Sequence, residues 1–282
     1  MNNNLTPITE RSNPKSKDID ILNAEDITRI LSFCESEIFG GYESFEGVLD
    51  KSIIEKCVTY AKKIREQIDV HGKTNVILIG AGTSGRLCRL MAKVLNPIAG
   101  NEINIIPIIA GGIKALVRAE PNTEDRIEEG VFDYLSYTQD IDRSNCFVVG
   151  VSCGLSANYV KGALCEANKY TEEKTAIIGF NPVELATIDL NYDVNVLNPI
   201  IGPEPIVGSV RMKGGTTTMI LIFALIKSSI QNSNQIEKSF IEILIDCKNT
   251  LSKIQHYDKE IAGLINSGNE TLQSGGNIYL IG

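Results

Sequence analysis

Apolar residues recur in two different rhythms along this 282-residue chain. They first return every three or four positions, at Ile27, Ile30, Leu31 and Ile38 and then at Val48, Ile53, Ile54, Cys57, Tyr60, Ala61 and Ile64, with Lys and Arg on the opposite face of the second set. That spacing predicts two amphipathic helices. Asn23 caps the first and Gly40-Gly41 ends it. From residue 74 the rhythm changes to short β-branched runs at 76–79, 103–110, 147–151, 176–179 and 194–197, separated by helical patterns at 86–95, 124–137, 157–169 and 213–230. Runs that are apolar at successive positions belong to strands covered on both faces. The alternation therefore predicts an α/β fold, a flavodoxin-like doubly wound parallel sheet with flanking N- and C-terminal helices and a ligand crevice at the carboxyl ends of the strands.

Residues 1–18 are polar and contain proline, which predicts a flexible arm. After the polar spacer Gln231-Asn232-Ser233-Asn234, two more amphipathic helices are expected through Ile243-Leu244 and through Ile261 and Leu264. The final Gly275-Gly276-Asn277-Ile278-Tyr279-Leu280-Ile281-Gly282 repeats the texture of Lys73-Thr74-Asn75-Val76-Ile77-Leu78-Ile79-Gly80. A repeat of this kind predicts the first strand of a second sheet domain, truncated where the chain stops. The expected organisation is an arm over 1–18, helices over 19–70, a sheet domain over 71–231, and over 232–282 two helices with that opening strand.

Composition narrows the function. The chain is 43% hydrophobic, enough for a sizeable core. Its formal net charge of −8 argues against a nucleic-acid surface, so an anionic ligand needs a local site. The longest apolar run, Met219-Ile220-Leu221-Ile222-Phe223-Ala224-Leu225-Ile226, is far below the ~20 residues of a membrane span and reads as a buried helix. The N-terminus lacks the basic and apolar regions of a secretory signal, so a reducing, cytoplasmic compartment is expected, with a nuclear location equally compatible. Seven cysteines with no C-x-x-C pair fit buried thiols better than disulfides or a zinc site. The two histidines, His71 and His256, stand in polar helix-end contexts, so no metal, cofactor or Ser-His chemistry is expected.

The chemistry is concentrated in loops. Gly80-Ala81-Gly82-Thr83-Ser84-Gly85-Arg86 joins a strand to a helix, where free N–H groups and the positive helix end stabilise an anion and two hydroxyls add donors. It satisfies G-x-G-x-x-G, but a dinucleotide site also needs an acid at the end of the second strand, where Ala110-Gly111-Gly112 stands instead. A second such junction is Val151-Ser152-Cys153-Gly154-Leu155-Ser156. In a doubly wound sheet the loops after the first and third strands are neighbours, so both sets of hydroxyls and amides can converge on one phosphate. The rigid loop Asn198-Pro199-Ile200-Ile201-Gly202-Pro203-Glu204 leads to Arg211 and Lys213, which either supply positive charge, hold the loops together or stand exposed on the surface. Glu124 falls at a helix start, where an acid is an ordinary dipole partner or, beside a sugar, a hydroxyl acceptor or proton carrier.

These motifs, in this order, resemble the sugar isomerase (SIS) fold, and within it the family shared by glucokinase regulatory protein and N-acetylmuramic acid 6-phosphate etherase. The resemblance runs through Thr9-Glu10-Arg11-Ser12-Asn13-Pro14, Gly82-Thr83-Ser84-Gly85-Arg86, Ile109-Ala110-Gly111-Gly112 and Thr123-Glu124-Asp125. It is closer to the regulatory protein at Val151-Ser152-Cys153-Gly154-Leu155-Ser156-Ala157, Gly179-Phe180-Asn181-Pro182 and Gly208-Ser209-Val210-Arg211-Met212-Lys213-Gly214-Gly215. It implies a regulatory protein that binds a phosphorylated sugar, fructose 6-phosphate or fructose 1-phosphate, and controls a carbohydrate kinase of the glucokinase type. Thr83, Ser84, Ser152, Gly154 and Ser156 would surround the ligand's phosphate, Cys153 would join them in binding the ligand and Glu124 would meet the sugar. The resemblance also places the second catalytic glutamate of the etherases at Val94, which transfers no proton, so the lyase reaction is the alternative reading. The regulators' second sugar isomerase domain and helical lid are represented here only by that first strand, for which a homodimer would substitute.

Overall fold

The computed structural model describes residues 6–118, 120–171, 173–189, 193–208 and 210–279. Five parallel strands, β1 (Thr74–Gly80), β2 (Ile103–Ile109), β3 (Cys146–Val151), β4 (Thr175–Ile178) and β5 (Asn195–Leu197), form one sheet in the order β2-β1-β3-β4-β5. This is the doubly wound order read from the sequence. Strand side chains alternate faces, so Val76 and Leu78 join one core while Ile77 and Ile79 join the other. The first core is shared with α2 (Lys51–His71), α3 (Gly82–Ala99), α7 (Lys213–Ser229) and α8 (Ile236–Ile254). The second is closed, beyond the single turn α4 (Lys114–Val117), by α5 (Ile127–Tyr137) and α6 (Asn158–Thr171), which approach closely because Gly130 and Gly162 lack the Cβ atoms that would collide with the Tyr159 and Ile127 carbonyls.

The flanking helices follow the expected pattern. In α1 (Ala24–Gly40) the Asn23 side chain accepts the Asp26 N–H at 2.9 Å, and the helix ends at Gly41 with φ +81. At the other end, α8 packs on α7 and α9 (Asp258–Gln273) on α1. The apolar run 219–226 lies within α7, and among the described residues no helix is long and apolar enough to cross a membrane.

Two expectations are corrected. The arm over 1–18 is, from residue 6 onward, a docked segment: Ile8, Thr9, Asn13 and Ser16 are buried, and hydrogen bonds tie the last three to loops distant in sequence. Its polar side chains pair with groups of the folded domain, which local composition does not reveal. The strand predicted at the C-terminus is not seen over Asn277, Ile278 and Tyr279, which take no regular structure, and its last three positions lie outside the described residues. Among the described residues no strand lies beside these three, so they have no ladder to join.

Candidate functional site

The loops after β1 and β3 leave the sheet side by side, Gly80 lying opposite Val151 in the register. The first turns at once into α3. A Cβ on Gly85 would stand 2.5 Å from both the Gly80 carbonyl and the Ile109 side chain, and Gly82 takes φ +53. Gly85 lets the helix seat against the strand end because it carries no side chain, and Gly82 supplies the left-handed backbone of the turn. Ala81 provides no side-chain cap, so the amides of Gly82, Thr83 and Ser84 face outward at the positive helix end. The hydroxyls of Thr83 and Ser84 stand on the same turn.

The second loop is shaped by Ser152. Its Oγ accepts the N–H groups of Ser156 at 3.0 Å and Ala157 at 3.1 Å, capping the entry to α6, and its own proton remains available to a ligand. Leu155 holds a left-handed φ of 53 because its side chain is fully buried and its carbonyl accepts the amides of Thr187 and Ile188. The Cys153 thiol lies between the hydroxyls of Ser84, 3.7 Å away, and Thr218, 3.8 Å away. Burial pushes it up to about 11, so at neutral pH it is an uncharged strut between the two loops.

All seven residues singled out from the sequence, Thr83, Ser84, Glu124, Ser152, Cys153, Gly154 and Ser156, line one cavity of about 250 Å³. That volume lies just below the range typical of drug-sized ligands and suits a single-ring metabolite. Glu124 is exposed at its rim, on a 3-10 turn over Thr123–Asp125 that precedes α5 and does not belong to it. Arg211 also lines the cavity, whereas Val94 does not; it is exposed, ten positions along α3 from Ser84, or ~15 Å by the rise of a helix. The sequence reading missed Glu10, which reaches the cavity from the N-terminal segment. Its one signal was membership of the block Thr9-Glu10-Arg11-Ser12-Asn13-Pro14.

Lys213 is not a site residue. Its fully buried ammonium lies 2.6 Å from Glu37 Oε2 and 2.6 Å from the Ile201 carbonyl. Of the three roles open to it, holding the loops together is the one seen. Beside it, Glu204 accepts the amides of Lys213 and Gly214, each at 2.9 Å, and so caps α7 internally. Of the N-termini of α3, α6 and α7, that of α3 is therefore the one without a side-chain cap among the described residues.

Glu35, on α1, packs against this group. Its Oε1 accepts from Thr216 Oγ1 at 3.5 Å, and Oε2 is buried with no hydrogen-bond partner among the described residues. Burial, aided by the charge of Glu204, pushes its carboxyl from the ordinary 4.5 up to about 7. The folded protein therefore holds this proton to higher pH than the unfolded chain, and stability falls as pH rises between those two values. A Glu35→Gln variant is expected to match the parent near the lower value and to exceed it by about 1–3 kcal/mol at pH 8. Urea unfolding at both pH values checks this, and equal pH slopes would contradict it.

Residues 53–168 match the glucokinase regulatory protein N-terminal SIS domain family. Glucokinase regulatory protein of Homo sapiens is 31% identical over 98% of this chain and 49% of its own length, and that of Xenopus laevis is 27% identical over the same shares. The chain thus spans about half the length of these regulatory proteins. The N-acetylmuramic acid 6-phosphate etherase of Petrotoga mobilis is 30% identical over 88% of this chain and 76% of its own length. The chain belongs to the SIS-fold family shared by glucokinase regulatory protein and N-acetylmuramic acid 6-phosphate etherase.

Proposed function

We propose that the chain binds a phosphorylated hexose, fructose 6-phosphate or fructose 1-phosphate, and acts as a regulator of a glucokinase-type carbohydrate kinase. The observation that carries this reading is the uncapped N-terminus of α3 beside the Ser152 loop in one cavity. Three amides and up to four hydroxyls are the donor set that a phosphate dianion needs, and each bond to a charged group contributes about 1.5–3 kcal/mol. Glu124 at the rim offers an acceptor to sugar hydroxyls. Similarity to the regulatory proteins supports the kinase as partner. Isothermal titration is expected to show saturable binding of fructose 6-phosphate, and glucokinase assayed with the chain should respond to that ligand. A folded protein that takes up no sugar phosphate at millimolar concentration would overturn the reading.

The etherase reading is favoured by one observation, the presence of Glu124 at the cavity in a relative of the etherases. Release of lactate from N-acetylmuramic acid 6-phosphate would establish it. The homodimer is supported by an exposed apolar stripe on α3, Leu90, Val94 and Ile98, one turn apart. A dimeric mass in sedimentation is expected, and Val94→Lys should reduce it to that of one chain.

A further inference from the structure

The N-terminal segment gives the cavity a wall that neither glycine loop supplies. Thr9 donates its N–H to Asn181 Oδ1 at 3.1 Å, and Asn181 Nδ2 reaches Thr9 Oγ1 at 3.0 Å and the Gly154 carbonyl at 2.9 Å. Asn181 is fully buried, and its own carbonyl accepts from Asn198 Nδ2 at 3.2 Å. On the far side of Glu10, Asn13 Nδ2 bonds the Pro203 carbonyl at 3.0 Å and Ser16 Oγ that of Pro205 at 2.5 Å. Ile8 anchors the start of the segment in the core. Glu10 is therefore an exposed side chain on a backbone pinned before and after it, next to the Ser152 loop and lining the cavity.

Charge gives this placement a consequence. The amides and hydroxyls of the two loops seat one anion, and among the described residues the remaining ionisable groups of the lining, cysteine aside, are Arg211, Glu10 and Glu124. One cation stands against two carboxylates. A ligand with one phosphate presents hydroxyl hydrogens to these carboxylates, which accept them; a ligand with a second phosphate brings like charges together. The repulsion is stronger when the residue cannot retreat with its backbone, and the Asn181 clasp holds that backbone at Thr9. Building on the sugar-phosphate reading above, we propose that Glu10 is a specificity-determining residue that selects hexose monophosphates over hexose bisphosphates, with Asn181 as its positioning residue.

The test is titration of the full chain with fructose 6-phosphate and with fructose 1,6-bisphosphate, at low and high salt. The parent is expected to prefer the monophosphate by about tenfold or more, with the preference shrinking as salt screens the charges. Glu10→Gln keeps the side-chain shape and is expected to cut that preference at least about fivefold without moving the melting temperature. Asn181→Ala should lower the melting temperature and the preference together, whereas a merely structural residue would weaken both ligands alike and leave their ratio unchanged. An unchanged ratio in Glu10→Gln overturns the assignment to Glu10 while leaving the sugar-phosphate reading intact. Failure of the parent to bind either ligand overturns both.

Discussion

Truncating Lys213 to alanine is expected to destabilise the fold by about 3–5 kcal/mol, the cost of leaving a buried charge without its partner. The ammonium is fully buried, and Glu37, at 10% side-chain exposure, would lose its contact at 2.6 Å. Lys15 also bridges Glu37, at 3.1 Å, but from a half-exposed position that is worth much less. The same change strips the Ile201 carbonyl of its donor and leaves Glu35 and Glu204 without the nearest compensating cation. Two consequences should appear together in urea unfolding and ligand titration. The midpoint falls, and ligand affinity weakens, because this cluster anchors the loop that carries Arg211 to the cavity. Combining Lys213→Met with Glu37→Gln should recover part of the lost stability, since an uncharged, well-packed pair avoids the desolvation that the single change exposes. A midpoint unchanged in Lys213→Ala would contradict the placement of this pair in the core.

The second large effect concerns Ser84 and Ser152, one from each loop. Each alanine substitution is expected to weaken sugar-phosphate binding by about 10–100-fold, the worth of one hydrogen bond to a charged group, and the double variant should show no measurable binding. Their effects on folding should differ. Ser152 Oγ accepts two amides at the entry to α6, so Ser152→Ala should cost about 1–2 kcal/mol of stability. Among the described residues Ser84 Oγ meets the Cys153 thiol at 3.7 Å, a weak partner, so Ser84→Ala should stay within about 0.5 kcal/mol of the parent. Titration and thermal unfolding of the three variants separate the two roles. Affinity retained in the double variant would show that the ligand sits elsewhere.

Much of the candidate site is legible in the sequence. The Gly80-x-Gly82-x-x-Gly85 loop and the Ser152–Ser156 loop stand at strand ends, and in a parallel doubly wound sheet the topology forces neighbouring strands to deliver their loops to one edge. Turn residues announce such loops locally, which is why Thr83, Ser84, Ser152, Gly154 and Ser156 could be grouped across seventy residues of chain. What they did there was less accessible. Ser152 is as much a helix cap as a donor, and Cys153 is a strut whose thiol is held off ionisation by burial. Neither property follows from residue type, since both depend on which amide or hydroxyl happens to face the side chain.

The order of strands and helices follows from periodicity, because the alternation of faces in a strand and the 3.6-residue return of a helix are properties of the backbone that each short segment carries alone. The glycines at 80, 82 and 85 belong with it, since the absence of a side chain is itself the local signal. Position across long sequence separations has no such signal. Thr9 meets Asn181, Asn13 meets Pro203, and Lys213 meets Glu37, pairs separated by 172, 190 and 176 residues. Their polar and charged side chains read locally as solvated surface. Packing buries them, and once water is excluded each must find a partner within the protein, which turns a polar arm into a wall of the cavity and a loop lysine into part of the core.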